Sequence, residues 1–512
     1  MGIPYYFYSL TKKYKNIIIN KIPDNPDIYC IDFNGIIHPV AANIIKDTNN
    51  DLCDKDKYED KIIKALWEKV IEYINIIKPK NLIICVDGVA PVAKMAQQRK
   101  RRYLTVYRNK IDNIQSKWDT NAITPGTDFM TKLNNHMKSK IRYNTTDVKI
   151  NYSGSDEVGE GEHKIFAKIS YEKNDDIIVI HGLDADLIIL SLLSHKKNIY
   201  LMREAENSVY TYLNIQELRR AVIIELVKKW ELSSKINDDI YSIDANNIIE
   251  SYCVICSILG NDFIPHILSL NLKQNGLEKL INCCNIAIKN NGLLVSNNTI
   301  NHKCLTDIFI EIAKNEDKDI FKECEEYIKK HIGPTELVSE LYAIKNKDPL
   351  ANIIYSNISK WKQNYYKHLF NININNDSSV LNSACESYIK GIYWTYAYYK
   401  RKDLDHYWYY PYCYAPSIKD IANYSQANNE PVIVSNGTFV NSSIQLLIVL
   451  PKDSVNLLQP NHRKYMEDVR SGLYHMYPKE YKIYTFLKTH LWECVPNLPF
   501  INIKNIIKVV NK

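Results

Sequence analysis

Acidic residues recur in this chain where apolar runs give out. DIYCIDFNG carries Asp32, NLIICVDGVAP carries Asp87, and DDIIVIHGLDADL gives way to Asp184 and Asp186. Glu160 and Glu162 flank glycine in GEGEHKIF, just ahead of a helical pattern, and Asp262 follows Gly260 in SILGNDFIPH. Taken singly, an acid after a strand is more often a helix cap or turn residue, by roughly three to one. Seven in such contexts are harder to dismiss. Carboxylates crowded into one crevice repel, and Mg²⁺ with oxygen ligands is the ordinary way to neutralise them. Two such ions about 3.5–4 Å apart clamp the attacking and leaving oxygens of a phosphodiester. Hydrolysis of nucleic acid is the chemistry this pattern points to.

A basic face follows Asp87 closely. In APVAKMAQQRKRRYLTVYR, Lys94, Gln98, Arg101 and Arg102 share one side of a predicted helix. Lysine offers a mobile charge, arginine a planar fork for phosphate oxygens, and glutamine a neutral donor. A solvated cationic helix, or a localisation patch made by Arg99, Lys100, Arg101 and Arg102, accounts for these residues about equally well.

The elements that must position these groups read as an α/β fold. Continuous apolar strands alternate with helical patterns such as DKIIKALWEKVIEYINIIK, which argues for a mostly parallel sheet covered by helices on both faces. In such sheets ligands bind beyond the carboxyl ends of the strands, where Asp32, Asp87, Asp184 and Asp186 would converge. The region from about Asn214 to Lys345 is mostly helical by pattern. Polar, Asn-rich stretches at Lys46–Asp60, Asn290–Asn301 and Asn371–Ser379 read as loops. We divide the chain into an α/β region over 1–345, a linker-like segment over 346–381, and an aromatic-rich region over 382–512 that includes ESYIKGIYWTYAYYKRKDLDHYWYYPYCYAP.

Composition constrains the reading less. A net charge of +7 suits a phosphate-bearing partner but is common among proteins without one. Twelve cysteines in 512 residues do not make a disulfide framework, and Cys253 and Cys256 have C-x-x-C spacing inside a helical stretch without a second pair, so core cysteines outweigh zinc ligands. No apolar run reaches the roughly 18 residues of a membrane span. No membrane association is expected, Gly2 lacks a myristoylation context, and the cytoplasm is the expected compartment.

Together these blocks resemble the eukaryotic 5′-to-3′ exoribonuclease family. MGIPYYF, IDFNGIIH, VDGVAPVAKMAQQRKRR, WDTNAITPGTDFM, GEGEHKI, HGLDADLIIL, LGNDFIPH, WKQNYYK, WYYPYCYAP and WECVPNLPFIN carry the resemblance from end to end. It implies a nuclease core of the PIN and flap-nuclease type with a helical, aromatic-rich second region packed on it. It implies that the seven acids hold two Mg²⁺ ions, with Mn²⁺ able to substitute, and that Lys94, Gln98, Arg101 and Arg102 receive a 5′-monophosphate. The substrate would be single-stranded RNA, degraded processively to mononucleotides by a monomer. His38 and a tryptophan would stack on the terminal bases, with Trp394 the first choice and Trp408 the second. Val92 stands where the family usually has arginine, and SGSDEVGEGEH lacks the proline usual before GEGEH; the family's long C-terminal extension is not in this sequence. A flap-type DNA endonuclease fits less well, because Asp262 leads into FIPHILSLNLKQNG rather than a glycine-rich hairpin. A non-catalytic RNA 5′-end-binding protein would not need these acids facing a polyanion.

Overall fold

The computed structural model describes residues 5–47, 55–144, 146–182, 184–204, 210–331, 333, 337–431 and 435–511. The first four residues of MGIPYYF, Gly2 among them, and part of the polar stretch Lys46–Asp60 lie outside the described residues. The rest of that stretch differs from the expected loop, since residues from Lys55 onward already belong to the helix Lys55–Ile77.

Seven strands form one mixed sheet: β1 (Ile18–Ile19), β2 (Ile28–Asp32), β3 (Asn81–Cys85), β4 (Lys149–Ser153), β5 (Ile177–His181), β6 (Asn198–Glu204) and β7 (Tyr210–Asn214), in the order β1-β7-β6-β5-β2-β3-β4. The pairs β3/β4, β2/β3, β2/β5 and β5/β6 are parallel, while β7 runs antiparallel to both β6 and β1. Alternation explains the unbroken apolar runs. Ile28 and Cys30, Ile83 and Cys85, Ile178 and Ile180 enter one core, whereas Tyr29 and Ile31, Leu82 and Ile84, and Val179 enter the other. Both faces are buried, so neither set can be polar. The chain leaves β2 toward β3 and β4 on one side and returns to β5 on the other, so the crevice beyond β2 and β5 is the switch point of the sheet.

Helices follow. Ile243–Ser257 packs into the first core, with Cys253 and Cys256 as buried free thiols, as expected for core cysteines. The segment 346–381 is not linker-like. It holds the helices Leu350–Ser356 and Trp361–Leu369, and Trp361, Tyr365 and Tyr366 are buried with Ile320 and Phe486. Polar residues at the surface of these helices hide that core from a composition reading. In the Asn290–Asn301 stretch, Val295–Ser296 pairs with Thr299–Ile300 as a tight hairpin. The helix Ser378–Tyr399 then carries Tyr388, Ile392, Trp394 and Tyr398 into the core below the sheet, so the aromatic-rich region shares its packing with the α/β region.

Candidate active site

All seven acids gather at the carboxyl edge of the sheet, six of them placed by an evident local device. Asp32 ends β2, with one carboxylate oxygen buried and unpartnered. Asp87 lies just beyond β3; its N–H donates to Asn34 Oδ1 at 2.9 Å, and its Oδ1 accepts from the Gly161 N–H at 2.6 Å. Glu160 immediately precedes the helix Gly161–Ile169 and Glu162 sits in its first turn, where the helix dipole favours negative charge. Asp186 begins the helix Asp186–Ser194. Asp262 follows a turn at Gly260, whose φ of 91° and 2.8 Å clearance between a would-be Cβ and the His266 nitrogen exclude a side chain. Gly161 is as constrained, because a Cβ there would stand 2.8 Å from Asp32 Oδ1 and 3.1 Å from the Cys85 carbonyl.

The electrostatics are those of crowded acids. Burial raises the Asp32 pKa well above the carboxylate range, and Asp87 and Asp184 raise it further. Burial and Asp186 do the same to Glu162. Burial and Asp262 push Asp186 up to about 7. Burial also raises Glu160, despite Lys94 beside it. Lys94 supplies a compensating charge, its ammonium 2.6 Å from Glu160 Oε2 and 2.8 Å from Asp262 Oδ2. Burial opposes that charge, but Asp262, Glu160 and Glu162 overcome it and hold the Lys94 pKa well above its usual value. An unpartnered Asp32 oxygen fits divalent ions, and so do Glu160, Glu162 and His163, whose ligand atoms fall within 4.8 Å of one another.

Several residues in this site escaped sequence reasoning. Tyr398 and Tyr399, at the end of the helix Ser378–Tyr399, donate their hydroxyls to Glu160 Oε1 and to Asp186 Oδ1, the latter at 2.9 Å. His163 packs at a tilt against Tyr398 with ring centroids 3.9 Å apart, and burial and Lys94 lower its pKa to about 3, so the ring is neutral. Lys164 donates to the Val86 and Gly154 carbonyls at 2.9 and 2.8 Å and ties the β3 and β4 exits together. The loop ahead of Glu160, which lacks the usual proline, is held instead by Gly88 N–H to Gly159 O at 2.9 Å and Gly159 N–H to Val89 O at 2.7 Å. Val92, where arginine is usual, begins the basic helix with its side chain in an apolar cluster.

The basic helix spans Val92–Ile111 and is clamped by the last third of the chain: Val92, Met95 and Ala96 pack with Leu446, Leu450 and Ile503. Its four proposed phosphate ligands separate in role. Lys94 turns to the acids, as described. Gln98 Oε1 and Arg102 Nη1 are buried without a partner, and burial together with Arg101 lowers the Arg102 pKa to about 9. Arg101 is exposed. Arg99, from the same basic run, is structural: it is buried and donates to the Pro499 and Met476 carbonyls.

His38 lies on the helix Asn34–Asp47 at the mouth of this crevice, its surface open to solvent though crowded by neighbours; that crowding, with Arg101 and Arg102, lowers its pKa to about 4. Neither tryptophan expected to face it is available. Trp394 is fully buried, stacked on Tyr398 at 5.0 Å, 5.2 Å from Trp408 and edge-on to Phe263, with its N–H donating to the Asp405 carbonyl at 2.8 Å. Trp408 is 8 % exposed and packs on Gly391, where a Cβ would come within 3.0 Å of its ring. Both are core residues, because the helix they serve is buried all round where it meets the sheet.

Clustered hard ligands at the switch point of a mostly parallel sheet, beside a cationic helix face, make a site of the kind a metal-dependent α/β nuclease uses. Residues 1–205 match the XRN 5′-3′ exonuclease N-terminus, and residues 242–341 and 345–512 match the Xrn1 helical domain. The chain belongs to the XRN 5′-3′ exonuclease family. It is similar to 5′-3′ exoribonuclease 1 of Homo sapiens, at 26% identity over 100% of this chain and 34% of the relative. It is also similar to 5′-3′ exoribonuclease 2 of Gallus gallus, at 25% over 98% of this chain and 69% of the relative, and to 5′-3′ exoribonuclease 1 of Saccharomyces cerevisiae, at 25% over 100% and 43%. The chain thus spans about a third of the human relative's length and less than half of the yeast one's.

Proposed function

We propose that the chain is a processive exoribonuclease that hydrolyses single-stranded, 5′-monophosphorylated RNA from its 5′ end to mononucleotides. The observation that carries this reading is the juxtaposition of the seven-acid crevice with the buried, unpartnered Arg102 Nη1. A buried guanidinium nitrogen without a hydrogen-bond partner is unfavourable until an acceptor arrives, and a terminal phosphate supplies one. Two Mg²⁺ ions held by Asp32, Asp87, Glu160, Glu162, Asp184, Asp186 and Asp262 would neutralise the phosphodiester and activate water. The chain's own residues do the rest. Gln98, Arg101 and Arg102 grip the terminal phosphate, and Lys94, between that pocket and the acids, holds positive charge beside Glu160 and Asp262. The neutral ring of His38 offers a face for a base without reading its identity. The names of the relatives, 5′-3′ exoribonucleases, support the direction and the substrate.

The test is a digestion assay on three substrates: 5′-monophosphorylated RNA, the same RNA with a 5′-hydroxyl, and a DNA flap. Mononucleotides should appear from the first alone and only with Mg²⁺. Equal digestion of both RNA ends would sink the phosphate-pocket reading, flap cleavage would favour the DNA nuclease, and no digestion would leave an end-binding protein.

A further inference from the structure

The Val92–Ile111 helix has a second face that the proposed function leaves unused. Gln97, Lys100, Arg101 and Leu104 line a cavity of about 920 Å³, whereas Gln98 and Arg102 do not. Ala185 and Asp262 also line it, so it opens onto the acidic crevice beside the helix face that carries Gln98 and Arg102. Arg101 belongs to both sides and stands at the partition.

The walls have the chemistry of a nucleotide site. Tyr5 and Trp492 present rings 36% and 59% exposed, with centroids 6.2 Å apart, and the Lys273 ammonium lies 4.2 Å over Tyr5. Lys488 is half-buried, 6.0 Å from the Tyr414 ring, and among the described residues enters no ion pair. Burial lowers its pKa, against the nearby Glu493 carboxylate, which raises it. The carboxylates that share the cavity are engaged: Glu493 accepts from the Thr489 and His490 N–H groups and pairs with Lys273, Glu323 accepts from Asn271, and Glu326 from Gln274. Ammonium groups whose nearby carboxylate is already shared with other donors therefore face aromatic surfaces, a combination that holds a phosphate and stacks a base of any identity. The volume lies within the range of sites for single small molecules.

A processive enzyme adds a topological requirement. Until the last step, the body of the RNA fills the side by which it entered, so the nucleotide cut from its 5′ end must leave by another route. We propose that this cavity is a product chamber, which takes the freed 5′-nucleoside monophosphate from the acidic crevice, its phosphate passing from Arg101 toward Lys488 and its base lying against Trp492 and Tyr5. The step is transfer only, since hydrolysis has already left a 3′-hydroxyl on the nucleotide and a new 5′-phosphate on the RNA. The inference rests on the exonuclease reading for its purpose, but its test uses no RNA.

Calorimetric titration of the full chain in EDTA with 5′-AMP, 5′-UMP and adenosine reads it out. Both nucleotides should bind with similar affinity and adenosine much more weakly. Lys488→Met should weaken 5′-AMP binding about tenfold, the usual effect of losing one charged partner of a phosphate. Trp492→Ala should weaken it several-fold, and because this residue is exposed the variant should keep the wild-type melting temperature, which makes it the control should Lys488→Met fail to fold. No nucleotide binding, or binding indifferent to both substitutions and abolished only by Arg102→Ala, would overturn the chamber. If RNA digestion fails while binding responds as described, the exonuclease reading falls and the nucleotide site stands.

Discussion

Tyr398 and Tyr399 are consecutive on one helix, so their side chains leave it roughly 100° apart. That divergence lets one hydroxyl reach Glu160 and the other Asp186. Partners of this kind orient a ligand and tune its basicity, and their loss typically costs 10–100-fold in metal affinity. Tyr399→Phe should therefore raise the Mg²⁺ needed for half-maximal digestion by about tenfold, and Mn²⁺ binding followed by electron paramagnetic resonance should weaken in parallel. Unchanged Mn²⁺ affinity would mean that the tyrosine merely packs. Gly161→Ala makes a harsher test. A methyl group 2.8 Å from Asp32 Oδ1 must displace that carboxylate, so metal binding and turnover should both be lost while the fold survives. Retention of full activity would remove Asp32 from the ligand set.

At the scale of the element, the basic helix does two jobs with residues two positions apart. Arg101→Ala should lower kcat/KM on monophosphorylated RNA by roughly ten- to a hundredfold, because a charge-assisted bond to phosphate contributes on the order of 1.5–3 kcal/mol, and it should scarcely change the reaction on 5′-hydroxyl RNA. Arg99→Met should do the reverse. Its guanidinium satisfies the Pro499 and Met476 carbonyls inside the protein, so its loss should cost about 1–3 kcal/mol of stability measured by denaturant melts, with end preference intact in the folded fraction. If Arg99→Met altered end preference at wild-type stability, the two roles would be misassigned. Helical spacing groups Lys94, Gln98, Arg101 and Arg102 on one face. What periodicity could not reveal is which of them a neighbouring acid would claim. Lys94 is drawn to Glu160 and Asp262 because those elements come from distant parts of the chain.

For the whole molecule, the acid cluster links stability to pH and to metal. Asp186 has an unfolded pKa near 3.9 and a folded one of about 7, so between these values the folded chain binds more protons than the unfolded chain. Stability in EDTA should accordingly fall as pH rises from about 4 to 7, and Asp32 and Glu162, also raised, add in the same direction. Mg²⁺ should raise the melting temperature more at pH 7.5 than at pH 5, since protons and metal compete for the same oxygens. A melting temperature in EDTA that climbs from pH 4 to 7 would show that these acids are not strained by one another. Trp394→Ala should cost on the order of 3–5 kcal/mol, the usual result of emptying a large core site, so slower RNA digestion in that variant has to be compared at equal folded fraction.

The sheet and the acids that end its strands were legible in the sequence. Strands buried on both sides must be continuously apolar, and an acid that ends such a run can only lie at the sheet's edge, so Asp32 and Asp87 were legible where they stand. Glycines tight against backbone, as at Gly161 and Gly260, are legible for the same steric reason. Tertiary structure alone decided which aromatic groups serve the site. Trp394, Tyr398 and Tyr399 lie within a few residues of one another on one helix, and nothing in their spacing says that the indole fills the core while the two hydroxyls reach Glu160 and Asp186. That choice depends on the angle at which the helix meets the sheet, which is set by packing among residues far apart in sequence. The same long-range packing made a core of the segment 346–381, whose polar surface suggests a linker, because the burial of Trp361, Tyr365 and Tyr366 depends on partners as distant as Phe486.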